Sequence, residues 1–223
     1  MKHYLLIILA VFPFLSQAQK ATTQLPHPVS VQLQAGTQGI GADVRYGVYP
    51  NLSARLGGSF VPINTGSSLS ISGFNTDYSA DVKIFNVHLL ADYVPFKNIK
   101  NLRVVGGAAY LYKANGGLVL SPTGSYTFGN YNLTGPEIGK LDMDVSWKGV
   151  APYLGVGLFK SFPSNLFNFN LDLGTYYLTA PSTRITGTNL LVDNNQLEPQ
   201  FNDNLKGYRW LPVLQLNFNF KIR

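Results

Sequence analysis

The sequence predicts an all-β fold, an eight-stranded antiparallel up-and-down barrel, on three observations. Apolar and polar residues alternate with a period of two in eight separate segments after Val29; no window holds a helical period; and the connections switch regularly between short and long. A strand sends successive side chains to opposite faces, so each such segment has one apolar face and one polar face.

The first segment sets Val29, Val31, Leu33 and Ala35 against Ser30, Gln32 and Gln34, and Gly36-Thr37-Gln38-Gly39 then makes a tight turn. The second sets Ile40, Ala42, Val44, Tyr46 and Val48 against Gly41, Asp43, Arg45 and Gly47. After the short turn Tyr49-Pro50-Asn51, the third sets Leu52, Ala54, Leu56, Gly58 and Phe60 against Ser53, Arg55, Gly57 and Ser59. A Ser-, Gly- and Asn-rich stretch from Ile63 to Val82 reads as a long loop. The fourth segment sets Phe85, Val87, Leu89, Ala91 and Tyr93 against Asn86, His88, Leu90 and Asp92, and Pro95 to Asn101 is a short turn. The fifth sets Leu102, Val104, Gly106, Ala108 and Tyr110 against Arg103, Val105, Gly107 and Ala109.

The longest loop is expected from Ala114 to Gly149. The sixth segment, Val150 to Phe162, puts Pro152, Leu154, Val156 and Leu158 on one face and small Gly155 and Gly157 on the other; Pro163-Ser164-Asn165 is a third short turn. The seventh sets Phe167, Phe169, Leu171, Leu173 and Thr175 against Asn168, Asn170, Asp172 and Gly174. A last long loop precedes the eighth, where Pro212, Leu214, Leu216, Phe218, Phe220 and Ile222 oppose Val213, Gln215, Asn217, Asn219 and Lys221.

The front of the chain reads as an export signal over residues 1–18. Lys2 and His3 lead an apolar run from Tyr4 to Leu15, and Ser16-Gln17-Ala18 is a small-x-small cleavage site. Residues 19–28 are expected to form a lead-in and 29–223 the barrel. In an exported chain whose wall strands are greasy on one face, the apolar faces can meet lipid while the polar ones line the interior. Composition agrees: charged residues are 13%, aromatics 13%, and there are 22 Gly. A soluble surface usually carries about a quarter charged residues. Aromatics gather at both sets of strand ends, as two interfacial belts would. The sequence has no Cys, which excludes a lipid-anchored lipoprotein, a disulfide framework and a thiolate metal site. The net charge of +6 is scattered and does not form a nucleic-acid stripe.

The stretch from Ala35 to Phe60, together with the related turn-plus-strand units that start at Tyr49 and Phe96, resembles the small OmpA/OmpX-like outer-membrane β-barrels of the kind numerous in Bacteroidota. The resemblance covers the mature chain in architecture and implies a transmembrane barrel with short periplasmic turns and long extracellular loops. It implies a cell-envelope protein of a Gram-negative bacterium, in contact with outer-membrane lipid, lipopolysaccharide and the barrel-assembly machinery. One departure concerns that machinery: many such chains end on Phe, and this one ends Phe220-Lys-Ile-Arg223.

Strand phase turns Asp43, Arg45, Arg55, His88, Asp92, Arg103 and Asp172 inward, where charges must pair because isolated ions away from water are costly. This lumenal set is expected to be an ion-paired network that plugs the barrel, with a narrow polar conduit as the alternative. Outer-membrane lipid A deacylases of similar size use a His-x-Ser on a strand; here His88 is followed by Leu89 and Leu90, and no catalysis is expected. His27, in Leu25-Pro-His-Pro28, reads as a solvated linker residue. Glu137, Asp142 and Asp144 lack the spacing of a calcium loop, so no metal or cofactor is expected. Tyr126, Phe128, Tyr131 and Trp147 are loop aromatics that could contact an extracellular protein or surface ligand. The expected role is structural or interactive: envelope integrity, adhesion or partner binding through the loops. The alternatives are a narrow passive channel for small or apolar solutes and a soluble lipocalin-like barrel with its apolar face inside.

Overall fold

A computed structural model describes residues 27–71, 74–96, 98–99 and 101–222, with only the backbone of Ile71, Phe74 and Phe128. The expected signal and most of the lead-in lie outside the described residues, as do Lys97, Lys100 and Arg223.

The chain is all-β with small helical additions. Strands β1 (Val29–Gly36), β2 (Gly39–Tyr49), β3 (Leu52–Ile71), β4 (Phe74–Tyr93) and β5 (Leu102–Pro122) form an antiparallel meander. A small hairpin of β6 (Ser125–Phe128) and β7 (Tyr131–Thr134) and a one-turn helix α1 (Gly135–Ile138) lead into β8 (Leu141–Leu158). Then come β9 (Phe167–Tyr177), β10 (Ser182–Gly187), a 3-10 helix (Asn189–Leu197), α2 (Glu198–Leu205) and β11 (Trp210–Lys221). β5 pairs with β8, β8 with β9, β9 with β11 and β11 with β1, which closes a ring of about eight strands; β10 lies on the free edge of β8.

The ring has a low side and a tall side. β1 and β2 meet in a hairpin at Gly39, whose φ of 81° is one that L side chains rarely adopt and where a Cβ would press against the Phe60 carbonyl. Thr37 ties this hairpin to the neighbouring strand, donating from its hydroxyl to Pro212 O at 3.0 Å and accepting from Leu214 N–H at 3.1 Å. β2 stops at the level of Phe60, but β3 continues from Val61 to Ile71 in unbroken register with β4. β3, β4, β5 and β8, of 18 to 21 residues, therefore stand well above β1, β2, β9 and β11, of 8 to 12. At ~3.4 Å per residue, β3 is about 65 Å long.

This overturns the long loop expected over Ile63–Val82, which is a two-stranded ladder, and most of that expected over Ala114–Gly149, which is strand as far as Pro122 and again from Leu141. In the first stretch the polar run Asn64 to Ser68 reads as a turn, although alternation resumes after it, with Leu69 and Ile71 against Ser68 and Ser70 and then Phe74, Tyr78, Ala80 and Val82 against Asn75, Asp77, Ser79 and Asp81. In the second the signal was present: Leu141, Met143, Val145 and Trp147 alternate with Asp142, Asp144 and Ser146. The last loop carries the 3-10 helix and α2, which lack the apolar stripe that a sequence reading needs.

Side-chain direction is inverted relative to a water-soluble barrel. On β11, Leu214, Leu216 and Phe220 are exposed while Gln215, Asn217 and Asn219 are buried. The same holds around the wall, with Leu56, Leu89, Leu154 and Phe169 outward and Arg55, His88 and Asn170 inward. The lipocalin-like alternative required the reverse and is set aside. Exposed aromatics lie in two bands. Tyr46, Tyr49, Tyr93, Phe96, Phe159 and Phe167 mark the end that holds Val29 and Lys221, and Phe60, Phe85, Tyr110, Tyr112, Tyr177 and Trp210 the other. Tyr176 and Trp147, near the level of the second band, turn inward. Among the described residues no helix is long and apolar enough to cross a membrane, which says nothing of strands.

Candidate functional site in the barrel interior

The structure places Asp43, Arg45, Arg55, His88, Asp92, Arg103 and Asp172 inside the ring at 0–3% exposure. They come from β2, β3, β4, β5 and β9, so five strands converge on one layer. Arg103 joins two carboxylates, donating from Nη1 to Asp92 at 2.6 Å and from Nη2 to Asp172 at 2.7 Å. Arg55 Nη1 donates to the other Asp172 oxygen at 2.7 Å, and its Nε lies 3.4 Å from Asp92. Arg45 Nη1 approaches Asp92 at 3.3 Å, while its Nη2 donates to Gln32 Oε1 at 2.6 Å.

Amides extend this core. Gln32 Nε2 donates to Asp43 at 2.9 Å and to Asn217 Oδ1 at 3.0 Å, and Asn217 in turn donates to Asp172 at 2.8 Å and Asn170 at 2.7 Å. His88 Nε2 lies 2.9 Å from Asp43 Oδ1 and its Nδ1 3.0 Å from Asn86 Oδ1, with Asn86 donating to Ser59 at 2.7 Å. Sequence reasoning missed Gln32, Asn86, Asn170 and Asn217, although their inward phase could have found them. Three guanidinium groups thus share Asp92 and Asp172, while Asp43 is held by Gln32 and His88, and such charge-assisted contacts in a connected network fix geometry as well as energy. Small residues make the room: a Cβ on Gly57 would run into the Asp43 carboxylate, and one on Gly157 into the Arg103 guanidinium.

Both sides of this layer are closed by other means. Toward the chain-termini end, the turn after β8 covers the layer through Phe162. Phe162 sits beneath Arg45, its ring centroid 6.0 Å from the guanidinium carbon, and Lys160 O accepts from Asn168 at 2.9 Å. Toward the other end the interior becomes apolar: Leu90, Val105, Ala109, Ala151, Tyr153, Tyr176 and Val213 form a buried cluster. One strand shows the change, since β5 points Arg103, Val105, Ala109, Leu111 and Ala114 inward in turn. The spacing of three at the end of that series is a bulge at Tyr112-Lys113, where the β5–β8 register shifts and the inward phase resets.

The loop aromatics scatter. Tyr126 on β6 donates its hydroxyl to Asn75 O at 2.7 Å, Phe128 stands at the end of β6, and Tyr131 on β7 is 74% exposed. Trp147 is a strand residue of β8 that packs against the interior cluster and donates its indole N–H to Tyr208 O at 3.1 Å, so its expected place on a loop is corrected. His27 is exposed ahead of β1 and is also anchored: its Nδ1 lies 2.9 Å from Gly47 O and its ring stacks on Tyr46 at 5.4 Å. Outside the strands that form the ring, Glu137 accepts from the Thr134 N–H and hydroxyl, which holds its carboxyl below the usual range. Among the described residues no group of three or more His, Cys, Asp or Glu is arranged to hold a metal ion.

No family model matches the chain, and no curated protein matches it. Solved structures do. The chain is 25% identical to Acinetobacter baumannii CarO, covering 87% of this chain and 97% of that one at a TM-score of 0.60. Acinetobacter baumannii CarO2 is 24% identical, with 87% and 98% covered and a TM-score of 0.61. A major outer membrane protein from Thermus thermophilus is 16% identical, with 88% and 100% covered and a TM-score of 0.44, too distant to bear on the argument. An outward apolar wall, two aromatic bands and a fold shared with CarO, an outer-membrane barrel, make this a β-barrel protein of the outer membrane.

Proposed function

We propose that the protein is an eight-stranded OmpA/OmpX-like barrel with a sealed interior, whose role is structural and interactive rather than conductive. In this reading the chain termini and short turns face the periplasm. The tall strands β3, β4, β5 and β8, with β6, β7, β10 and the helices, stand outside the cell and make the contacts that serve envelope integrity, adhesion or partner binding. The observation that carries it is the closed layer of Arg45, Arg55 and Arg103 with Asp43, Asp92 and Asp172, which leaves these groups at most 2% exposed. An eight-stranded interior is just wide enough for side chains to fill, and here they fill it with mutually paired ions.

Two outcomes are expected. Purified barrel inserted in a planar bilayer remains electrically silent; steady conductance that changes when Arg55 or Arg103 is neutralised would instead make it a channel. Removing residues 123–140, the segment above the β5–β8 ladder, leaves a barrel that still runs faster on a gel before boiling than after, yet lowers binding to host or neighbouring-cell surfaces several-fold. Undiminished binding by that variant would remove the loop from the role given to it here.

A further inference from the structure

The apolar upper interior is not entirely filled. A cavity of about 360 Å³ lies above the buried cluster, walled by Ile84, Leu111, Ala114, Trp147, Leu178 and Leu211. Its rim toward the low side of the ring is made by Leu205 of α2 with Tyr208 and Trp210, the last two about two-thirds exposed. The rest of its lining is Val82, Asn115, Gly116 and Val145, with no ionisable group but the Tyr208 phenol at the rim. The volume lies within the ~300–1,000 Å³ of ligand pockets, and at ~30 Å³ per non-hydrogen atom it holds about a dozen of them.

From this cavity we infer a binding site for a small uncharged hydrocarbon or aromatic molecule, entering from the outer face of the barrel. Three features of the wall support a ligand over a packing defect. First, the cavity is framed by two structural devices. The bulge at Tyr112-Lys113 turns both Leu111 and Ala114 inward, and the extension of β4, β5 and β8 past the β1–β2 hairpin supplies a back wall with no counterpart in front. Second, the front is closed only by a helix end and two exposed aromatic side chains, groups that can swing aside without breaking a ladder. Third, the lining offers dispersion and ring contacts with one amide, Asn115, as the polar handle; a charged or strongly polar molecule would lose its hydration there without replacement. The floor of the site depends on the sealed-interior reading, because Val105, Ala109 and Tyr153 separate it from the Arg103 layer.

The two tryptophans of the chain, Trp147 and Trp210, both line the cavity, so intrinsic fluorescence reports on it directly. Folded barrel in detergent at neutral pH is titrated with 1-aminonaphthalene, which is uncharged there and small enough for the cavity, while energy transfer from tryptophan is recorded, after subtracting transfer to probe dissolved in the micelles. The expected result is saturation at one probe per barrel. Ala114→Phe, which fills the cavity from within, raises the half-saturating concentration at least tenfold, while Val150→Phe on the outward face leaves it unchanged. Transfer that rises linearly without saturating, or identical titrations for Ala114→Phe and the parent, would overturn the site. Should Ala114→Phe lose the heat-modifiable gel mobility of a folded barrel, Leu205→Lys at the rim decides by the same criterion. Conductance is read separately, so a barrel that conducts yet binds the probe removes the seal and keeps the pocket, and a silent barrel that fails to bind does the opposite.

Discussion

Replacing Arg103 with Leu is expected to lower the stability of the barrel by about 3–5 kcal/mol, the cost of breaking a buried ion pair by removing one partner. Arg103 is fully buried and joins Asp92 and Asp172, so its loss strips both carboxylates of their shortest or joint-shortest contact, 2.6 and 2.7 Å, at once. Arg55 still reaches Asp172 at 2.7 Å, which leaves Asp92 as the group in difficulty, with only the longer approaches of Arg45 and Arg55 at 3.3 and 3.4 Å. The loss should therefore be partly repaired by a second substitution, Asp92→Leu, since an apolar pair replaces a paired ion far better than half a pair does. Denaturant midpoints of the refolded barrel in lipid vesicles check both statements. An unchanged midpoint for the single variant, or no recovery in the double, would mean that the layer does not hold the ring together.

The second large effect concerns the outer wall. Leu154 on β8 pairs with Gly106 and Thr175, lies between Val150 at the level of one aromatic band and Phe159 in the other, and is 66% exposed. Leu154→Arg is expected to cost about 2–4 kcal/mol, the penalty for a cation facing lipid at the bilayer midplane. Val150→Arg, level with Tyr110 in the outer band, should cost about 0–1 kcal/mol because the side chain can reach the interface. The comparison of the two measures depth, which a single substitution would not. Equal, negligible effects would mean that Leu154 faces water.

Both results bear on how much of this architecture is local. Alternation is written into each short segment, because a strand fixes the direction of every side chain relative to the next. Thus β11 can be read from Pro212 to Ile222 alone, and so can the inward direction of Arg55 or Asp172. The inward direction of Trp147 was also readable, from Leu141, Met143 and Val145, but a turn-rich neighbourhood hid it. What no segment carries is the partner across the ring. Gln32 and Asn217 are 185 positions apart and meet because β1 closes on β11.

The sequence by itself determined the β class, the strand phases, the apolar wall and the set of charges that face inward. Only the tertiary structure decided which Arg meets which Asp, where the polar layer gives way to an apolar one, and that the stretches after Val61 and before Val150 are ladder instead of loop. The reason is physical. A side chain's face depends on its own backbone, whereas pairing, bulge position and strand length depend on neighbours distant in sequence. In the middle of the β3 extension, Asn64 to Ser68, where Ser, Thr, Asn and Gly occupy both faces, order comes from hydrogen bonds to β4 and leaves no hydrophobic trace to read.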